Sequence, residues 1–175
     1  MGNSKQPIPI YIGISHRFDK VKGLTERSIL ENTNHPVEIT HLYPEREEGC
    51  TGFSNVRYTI RKGIYLDCDM VVLGDIAELW GYHREGFFVC MTDGSTEVAV
   101  IDCEHNCKNK HQEHLLKKAP IIPAEWNVED YHYFPNKPLP KNMKLFHWTA
   151  LPHQPWFYNH PNEEAIALYE RYNTQ

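Results

Sequence analysis

Residues 64–80 read IYLDCDMVVLGDIAELW. Asp67 and Asp69 stand one residue apart in a run that is otherwise almost wholly apolar. A buried carboxylate is costly unless something pairs with it, so the pair needs a partner. In an extended segment residues i and i+2 point to the same side, and two carboxylates so placed suit one hard cation such as Mg²⁺ or Mn²⁺. A bare D-x-D is a weak motif, because helix caps and solvated turns produce it too. Here the apolar MVVL follows the second aspartate, which neither a cap nor a turn requires.

Working outward, PIPIYIGIS reads as a buried first strand and VEITHLY as a second. Between them, residues 21–33 place Val21, Leu24, Ile29 and Leu30 at helical spacing, with His35-Pro36 as a stop. Residues 44–55 are expected to be loop, GFSNVRYTIRK a short helix, and IYLDCDMVVL one continuous strand. FFVCMT and EVAVID are two further strands, and 108–118 is a polar helix. The proline- and aromatic-rich stretch 119–162 is expected to be loop with one strand near KLFHW. A last helix begins at NEEAIALYERY behind Asn162 as N-cap. Strands alternating with helices predict an α/β domain over residues 1–175, a mixed, mostly parallel sheet flanked by helices. Ligands of such sheets bind beyond the carboxyl ends of the strands, where Asp67 and Asp69 should lie.

At 175 residues the chain is long enough for one core, and 41% hydrophobic with 23% charged residues is a globular composition. A net charge of −5 excludes a nucleic-acid or anionic-membrane partner held by bulk charge, though not a small anion held by local cations. No apolar run is long enough for a membrane span. The start MGNSKQPIPIYIG has no secretory signal pattern; Gly2, Ser4 and Lys5 loosely match N-myristoylation, but a plain soluble terminus is expected. Five cysteines, an odd count with Cys68 and Cys90 in apolar settings, suit reduced thiols in a cytoplasmic protein. Cys103 and Cys107, with His111 and His114 following, lack the usual zinc spacing and read better as a strand-ending turn.

Taken together, YLDCDMVVLGDIAELW, IPIYIGISHRF, FSNVRYTI, VIDCEHN, IPAEWNV and KLFHWTALPHQPWF resemble segments of the retaining glycosyltransferases of family 8, which have the GT-A nucleotide-sugar fold. The resemblance covers most of residues 7–158. It implies a metal-dependent hexosyltransferase, moving glucose or galactose from a UDP-sugar to an unknown hydroxyl or carbohydrate acceptor. By that resemblance Asp67, Asp69 and His147 hold Mn²⁺ or Mg²⁺, and Arg57 neutralises the aspartates or reaches the phosphates. Gly13, Ser15 and Arg17 fall where the family contacts base and ribose, with Cys68 inside the metal motif. Asp93 and Thr96 fall near the sugar pocket, and Trp126 and Asn127 offer a stacking face and an amide. His153 and Gln154 lie in the diphosphate loop. On its own residues, His147 in LFHW reads more often as a hydrogen-bonded core histidine, and only the matching surroundings, ending in Pro155-Trp156, reverse that reading.

The chain departs from the family at Ser15, which stands for an aspartate, and at Ala150 and Gln154, which stand for a glycine and a lysine. His153 or Arg57 is expected to replace that lysine. Glu97 stands where a small or apolar residue is usual, and the region 107–120 is short, so acceptor elements are largely missing. A covalent intermediate needs a carboxylate nucleophile, for which Glu97, Asp93 and Asp130 are the candidates; same-face attack needs none and is preferred. The alternatives are a hydrolysis-only or non-catalytic sugar-nucleotide-binding relative, and a sugar nucleotidyltransferase, although the latter's glycine- and lysine-rich first loop is missing. A dehalogenase-type phosphatase lacks its threonine and second acidic pair. A monomer or weak homodimer is expected.

Overall fold

In the computed structural model, residues 6–43, 56–91, 95–103 and 121–173 are described. Strands β1 (Ile8–Gly13), β2 (Val37–Leu42) and β3 (Lys62–Asp67) pair in parallel, with β1 in the middle. Strand β6 (Val98–Asp102) runs antiparallel beside β3, and β5 (Phe88–Val89) is antiparallel to β6 at the edge. The order is β2-β1-β3-β6-β5, so all of these strands except β6 point the same way. The mixed, mainly parallel α/β sheet matches the expectation.

Alternation along the strands divides the core. Ile8, Ile10, Ile12, Ile64, Leu66, Val98 and Val100 face one side, packed by Ile29 of helix α1 (Lys22–Asn32) and by Ile76 and Leu79 of helix α2 (Ile76–Trp80). Tyr65, Ala99, Ile101 and Phe88 face the other side and meet Tyr58 and Ile60. Among the described residues that second face is covered by the short 3-10 turn Val56–Thr59 and the residues after it, within the stretch expected to be a short helix, whose residues 52–55 lie outside the described residues.

The main departure is at the opening stretch. IYLDCDMVVL is not one strand: β3 ends at Asp67, and β4 (Met70–Val72) joins a second sheet with β8 (Leu145–His147) and β7 (Val128–Glu129), in the order β4-β8-β7. Polar side chains of α1, two of them buried, hold the break. Thr25 Oγ1 lies 2.9 Å from Cys68 O and 2.8 Å from Met70 O, bracketing Asp69. Ser28 Oγ accepts from Val72 N at 2.9 Å, and Asn32 Nδ2 donates to Val72 O at 3.0 Å. Thr25, Ser28 and Asn32 recur at helical spacing, so one face of α1 replaces the missing strand neighbour of β4. Each such bond contributes about 1 kcal/mol net, and leaving a buried carbonyl unmet costs more.

The stretch 121–162 contains two strands, β7 and β8, where the sequence suggested one, and several 3-10 turns. Helix α3 (Glu163–Tyr172) starts as expected: the Asn162 side chain accepts from Ala165 N at 3.1 Å, and Glu163 and Glu164 favour the positive end of the helix. Its Ala165 and Tyr172 pack on Leu24, Val71, Phe146 and Trp148, closing a separate core beneath the second sheet. Cys68, Cys90 and Cys103 are buried and form no disulfide among the described residues. Cys50, Cys107, His111, His114 and the expected loop 44–55 and helix 108–118 lie outside the described residues. Among the described residues no helix is long and apolar enough to cross a membrane.

Candidate metal and donor site

The break between β3 and β4 leaves Asp67 at the carboxyl end of the main sheet and Asp69 one step beyond it. Strand β8 pairs with β4 so that His147 lies opposite Met70. That register carries His147 Nε2 to 3.1 Å from Asp69 Oδ1, 78 residues away in sequence. One ligand atom each from Asp67, Asp69 and His147 fit within 4.8 Å of one another. This is a set of two carboxylates and an imidazole of a kind that can hold a divalent cation.

Each aspartate is held by different neighbours. The Tyr65 hydroxyl donates to Asp67 Oδ1 at 2.6 Å, and Arg57 Nη2 lies 3.7 Å from the same oxygen. Arg57 is buried, its guanidinium 4.9 Å from the centre of the Tyr65 ring, and Nη1 donates to Thr96 Oγ1. Burial raises the Asp67 carboxyl to about 6, and the charge on Asp69 adds to the rise against the pull of Arg57 and His147. Two close, poorly solvated acids without enough positive charge make an environment that a divalent cation relieves. Burial, followed by the charge on Asp67, also drives the Tyr65 hydroxyl well above its usual range, so Tyr65 remains a donor.

Gly13 makes this arrangement possible. It pairs with Asp67 across β1 and β3, and a Cβ there would lie 2.2 Å from the Tyr65 hydroxyl. On the other aspartate, Gln154 Nε2 donates to Asp69 Oδ2 at 3.2 Å and to Trp148 O at 2.9 Å. Gln154 is fully buried at the end of the 3-10 turn Leu151–His153.

Glu97 and Asn127 flank His147 on its far side. Nδ1 lies 3.1 Å from Asn127 Oδ1 and 3.5 Å from Glu97 Oε2. Glu97 Oε2 also accepts from Ser95 Oγ at 3.1 Å and Asn127 Nδ2 at 3.3 Å. Burial alone would raise the Glu97 carboxyl, but His147, Ser95 and Asn127 bring it down to about 2. For His147 burial disfavours the charged ring, yet Asp69 and Glu97 on opposite sides raise it well above its usual value. Glu129, opposite His147 across β7 and β8, completes a second three-residue set with Glu97 and His147. A cavity of about 460 Å³ opens beside Asn127 and Glu129, with Met91, His132 and Tyr133 in its wall.

Three expectations need correction. Trp126 is fully buried in the core with Lys144 Nζ 5.6 Å from its ring centre, so it has no free face for a sugar. Cys68 points into the core, opposite in sense to its two neighbours, and is 1% exposed, so its thiol does not line the site. Asp130 is no nucleophile: it is fully buried, Oδ1 accepts from Thr149 N and Oγ1 at 3.1 Å and from Ala150 N at 3.2 Å, and Oδ2 lies 3.3 Å from His160 Nε2. It anchors the chain leading to Gln154. Burial would raise its carboxyl, but these partners lower it.

The remaining residues are placed as follows. Ser15 and the turn His16–Val21, which holds Arg17, follow β1 directly, and Ser15 O accepts from Phe18 N at 2.8 Å. Thr96 reaches the site through Arg57. His153 is exposed, with its ring 5.1 Å from that of Phe134. Beside Gln154 lies a second cavity of about 650 Å³, walled by Leu151, Pro152, Phe157 and Tyr158. Asp93 lies outside the described residues. Sequence reading missed Tyr65, Thr25 and the Asp130–His160 pair. The alternation of Tyr65 with Asp67 was the available signal for the first; nothing local marks the others.

No protein-family model matches the chain, and no curated protein sequence does. Solved structures do match it. The glycosyltransferase GlyE of Streptococcus pneumoniae TIGR4 superposes with a TM-score of 0.70 at 15% identity, covering 97% of this chain and 61% of that one. The galactosyltransferase LgtC, in complex with donor and acceptor sugar analogs, gives a TM-score of 0.64 at 11% identity, covering 93% and 94% of the two chains. The bifunctional glycosyltransferase WbbM gives a TM-score of 0.58 at 12% identity, covering 96% and 52%. The chain therefore spans about 61% of the length of GlyE. At these identities the likeness shows the fold: a GT-A-type glycosyltransferase architecture in a short chain.

Proposed function

We propose that this chain is a metal-dependent glycosyltransferase that moves a hexose, glucose or galactose, from a UDP-sugar to a hydroxyl acceptor with retention at the anomeric carbon. The observation that carries the reading is the convergence of Asp67, Asp69 and His147 at the carboxyl edge of the sheet, where open α/β sheets bind ligands. Mn²⁺ or Mg²⁺ held by these three side chains would supply positive charge to the departing diphosphate, where negative charge develops.

The chain's own residues perform the rest. Tyr65 fixes the free rotation of Asp67, and Gln154 fixes that of Asp69, so the carboxylates are oriented before the donor arrives. Arg57 balances charge at Asp67 from behind and does not require the cation to do so. Ser15 and Arg17, in the loop after β1, are the proposed contacts to base and ribose; Thr96 and Asn127 are the proposed contacts to the sugar. Of the candidate nucleophiles, Asp130 is sealed and Glu97 is held by three donors. That supports same-face attack, in which a departing phosphate oxygen takes the acceptor proton, over a glycosyl-enzyme. Buried cysteines that form no disulfide among the described residues suit a cytoplasmic location, and the chain is proposed to work as a monomer or weak homodimer.

The test is a panel of UDP-glucose, UDP-galactose and UDP-N-acetyl sugars with Mn²⁺, read by nucleotide release and thermal shift. One donor should be hydrolysed slowly, with release abolished by chelator. Binding without any release would favour a sugar-nucleotide-binding module, and no thermal shift with any donor would defeat the reading.

A further inference from the structure

The hydrogen bonds on the far side of His147 carry an inference that rests on the metal reading above. Glu97 is a carboxylate and, when ionised, accepts only. Its Oε2 lies 3.3 Å from the Asn127 side-chain amide, so Nδ2 must face it; the reversed amide would set two acceptor oxygens against each other. With Nδ2 committed to Glu97, Oδ1 of Asn127 is the atom that faces His147 Nδ1, at 3.1 Å. An amide oxygen also only accepts, so Nδ1 must carry the hydrogen. Without a cation Nε2, 3.1 Å from the acceptor Asp69 Oδ1, carries a hydrogen too. With a cation bound the ring is neutral and, Nδ1 being committed, its lone pair belongs to Nε2, within the ligand set of Asp67 and Asp69.

We infer that Glu97 and Asn127 form a two-residue relay that fixes the tautomer and orientation of His147, making Glu97 a positioning residue and not a nucleophile. Ser95 Oγ holds the carboxylate from a further side, and Glu97 follows its hydroxyl by only two residues in the segment entering β6. The Asp67 amide hydrogen-bonds to Glu97 O at 3.2 Å, so the backbone carrying the relay is tied to the backbone carrying the metal motif. Groups that hold the outer nitrogen of a metal-bound histidine typically change metal affinity by about 10–100-fold when removed. The site therefore has an outer support that depends on a glutamate at a position where the resemblance implies a small or apolar residue.

The experiment is a Mn²⁺ titration followed by the electron paramagnetic resonance signal of the free ion. It uses the wild type, Glu97→Ala, Asn127→Ala and the double variant Glu97→Gln with Asn127→Asp. The double variant rebuilds the relay with donor and acceptor exchanged: the introduced amide donates to the introduced carboxylate, which still accepts from Nδ1. Each single variant should bind Mn²⁺ about 10–100-fold more weakly, and the double variant should recover most of that loss. With Mg²⁺ bound, ¹⁵N spectra of the wild type should show the His147 hydrogen on Nδ1. If the wild type takes up no Mn²⁺, the proposed function fails and the relay with it. If the wild type binds and the single variants bind equally well, or the double variant is no better than the singles, the relay alone is overturned.

Discussion

Gly13→Ala probes how the metal motif is held without touching a ligand. A Cβ at residue 13 would lie 2.2 Å from the Tyr65 hydroxyl oxygen, 2.9 Å from Cζ and 3.0 Å from Cε2. Contacts this close force the ring or the strand to move. Overpacking of a filled core costs about 1–3 kcal/mol, and pulling the hydroxyl from Asp67 Oδ1, now 2.6 Å away, loses a bond to a charged group worth about 1.5–3 kcal/mol. The expected destabilisation is about 3–5 kcal/mol, a fall of roughly 6–20 °C in Tm for a chain of this size. Tyr65→Phe removes the atom in the worst contact and the hydrogen bond together, and should cost about 1.5–3 kcal/mol. The double variant keeps the 2.9 and 3.0 Å ring contacts but loses the worst one, so it should fall short of the sum of the two single changes by about 1 kcal/mol or more in a denaturant-melt cycle. Full additivity of the two single changes would refute the account of Gly13 as the residue that admits the Tyr65–Asp67 bond.

Other outcomes follow from the electrostatics. In chelator-treated protein, Glu97 has a folded pKa depressed to about 2, so its contribution is complete above its usual value of 4.5 and is lost as pH falls through 2. That contribution is about 3 kcal/mol before screening, and on the order of 2 kcal/mol for a side chain about one third exposed; Glu97→Gln should flatten this acid limb of a stability-versus-pH curve. Asp67 has the opposite sign: its folded pKa is raised to about 6, so its contribution is present below 3.8 and lost as pH rises through 6. Asp67→Asn should remove the loss of stability between pH 4 and 6. Asp130→Asn leaves the Thr149 and Ala150 amides facing an altered partner, and should cost about 2–4 kcal/mol, with faster hydrogen exchange at those two amides.

The sheet was legible because its signals are local. β1, β3 and β6 are short, mainly apolar runs and β2 alternates apolar with polar residues, and the Asn162 cap announces α3 within three residues. The metal motif was also legible, since Asp67 and Asp69 break an apolar run. What was not legible is long-range. IYLDCDMVVL carries no Gly or Pro at the point where β3 gives way to β4, because the break is set by Thr25, Ser28 and Asn32 of α1, about forty residues earlier. Those three polar residues read as a solvated helix face until the missing neighbour of β4 is known. Trp126 illustrates the same difficulty in reverse: an aromatic in a proline-rich loop resembles a ligand platform, and only its zero exposure in the core assigns it to packing. His147 stood between two readings and was placed by strand register, a property of β4 and β8 together.

The most direct test of the central claim is Mn²⁺ binding at Asp67, Asp69 and His147. Calorimetric titration and thermal melts should show Mn²⁺ binding by the wild type, strengthened by UDP. At a free concentration of about 100 times Kd the stabilisation should be roughly 2.7 kcal/mol, a rise of about 5–10 °C in Tm. Asp69→Ala should abolish both the heat and the rise while the far-ultraviolet circular dichroism stays that of the wild type. Equal Mn²⁺ binding by the wild type and Asp69→Ala, or none by a folded wild type, would contradict the account.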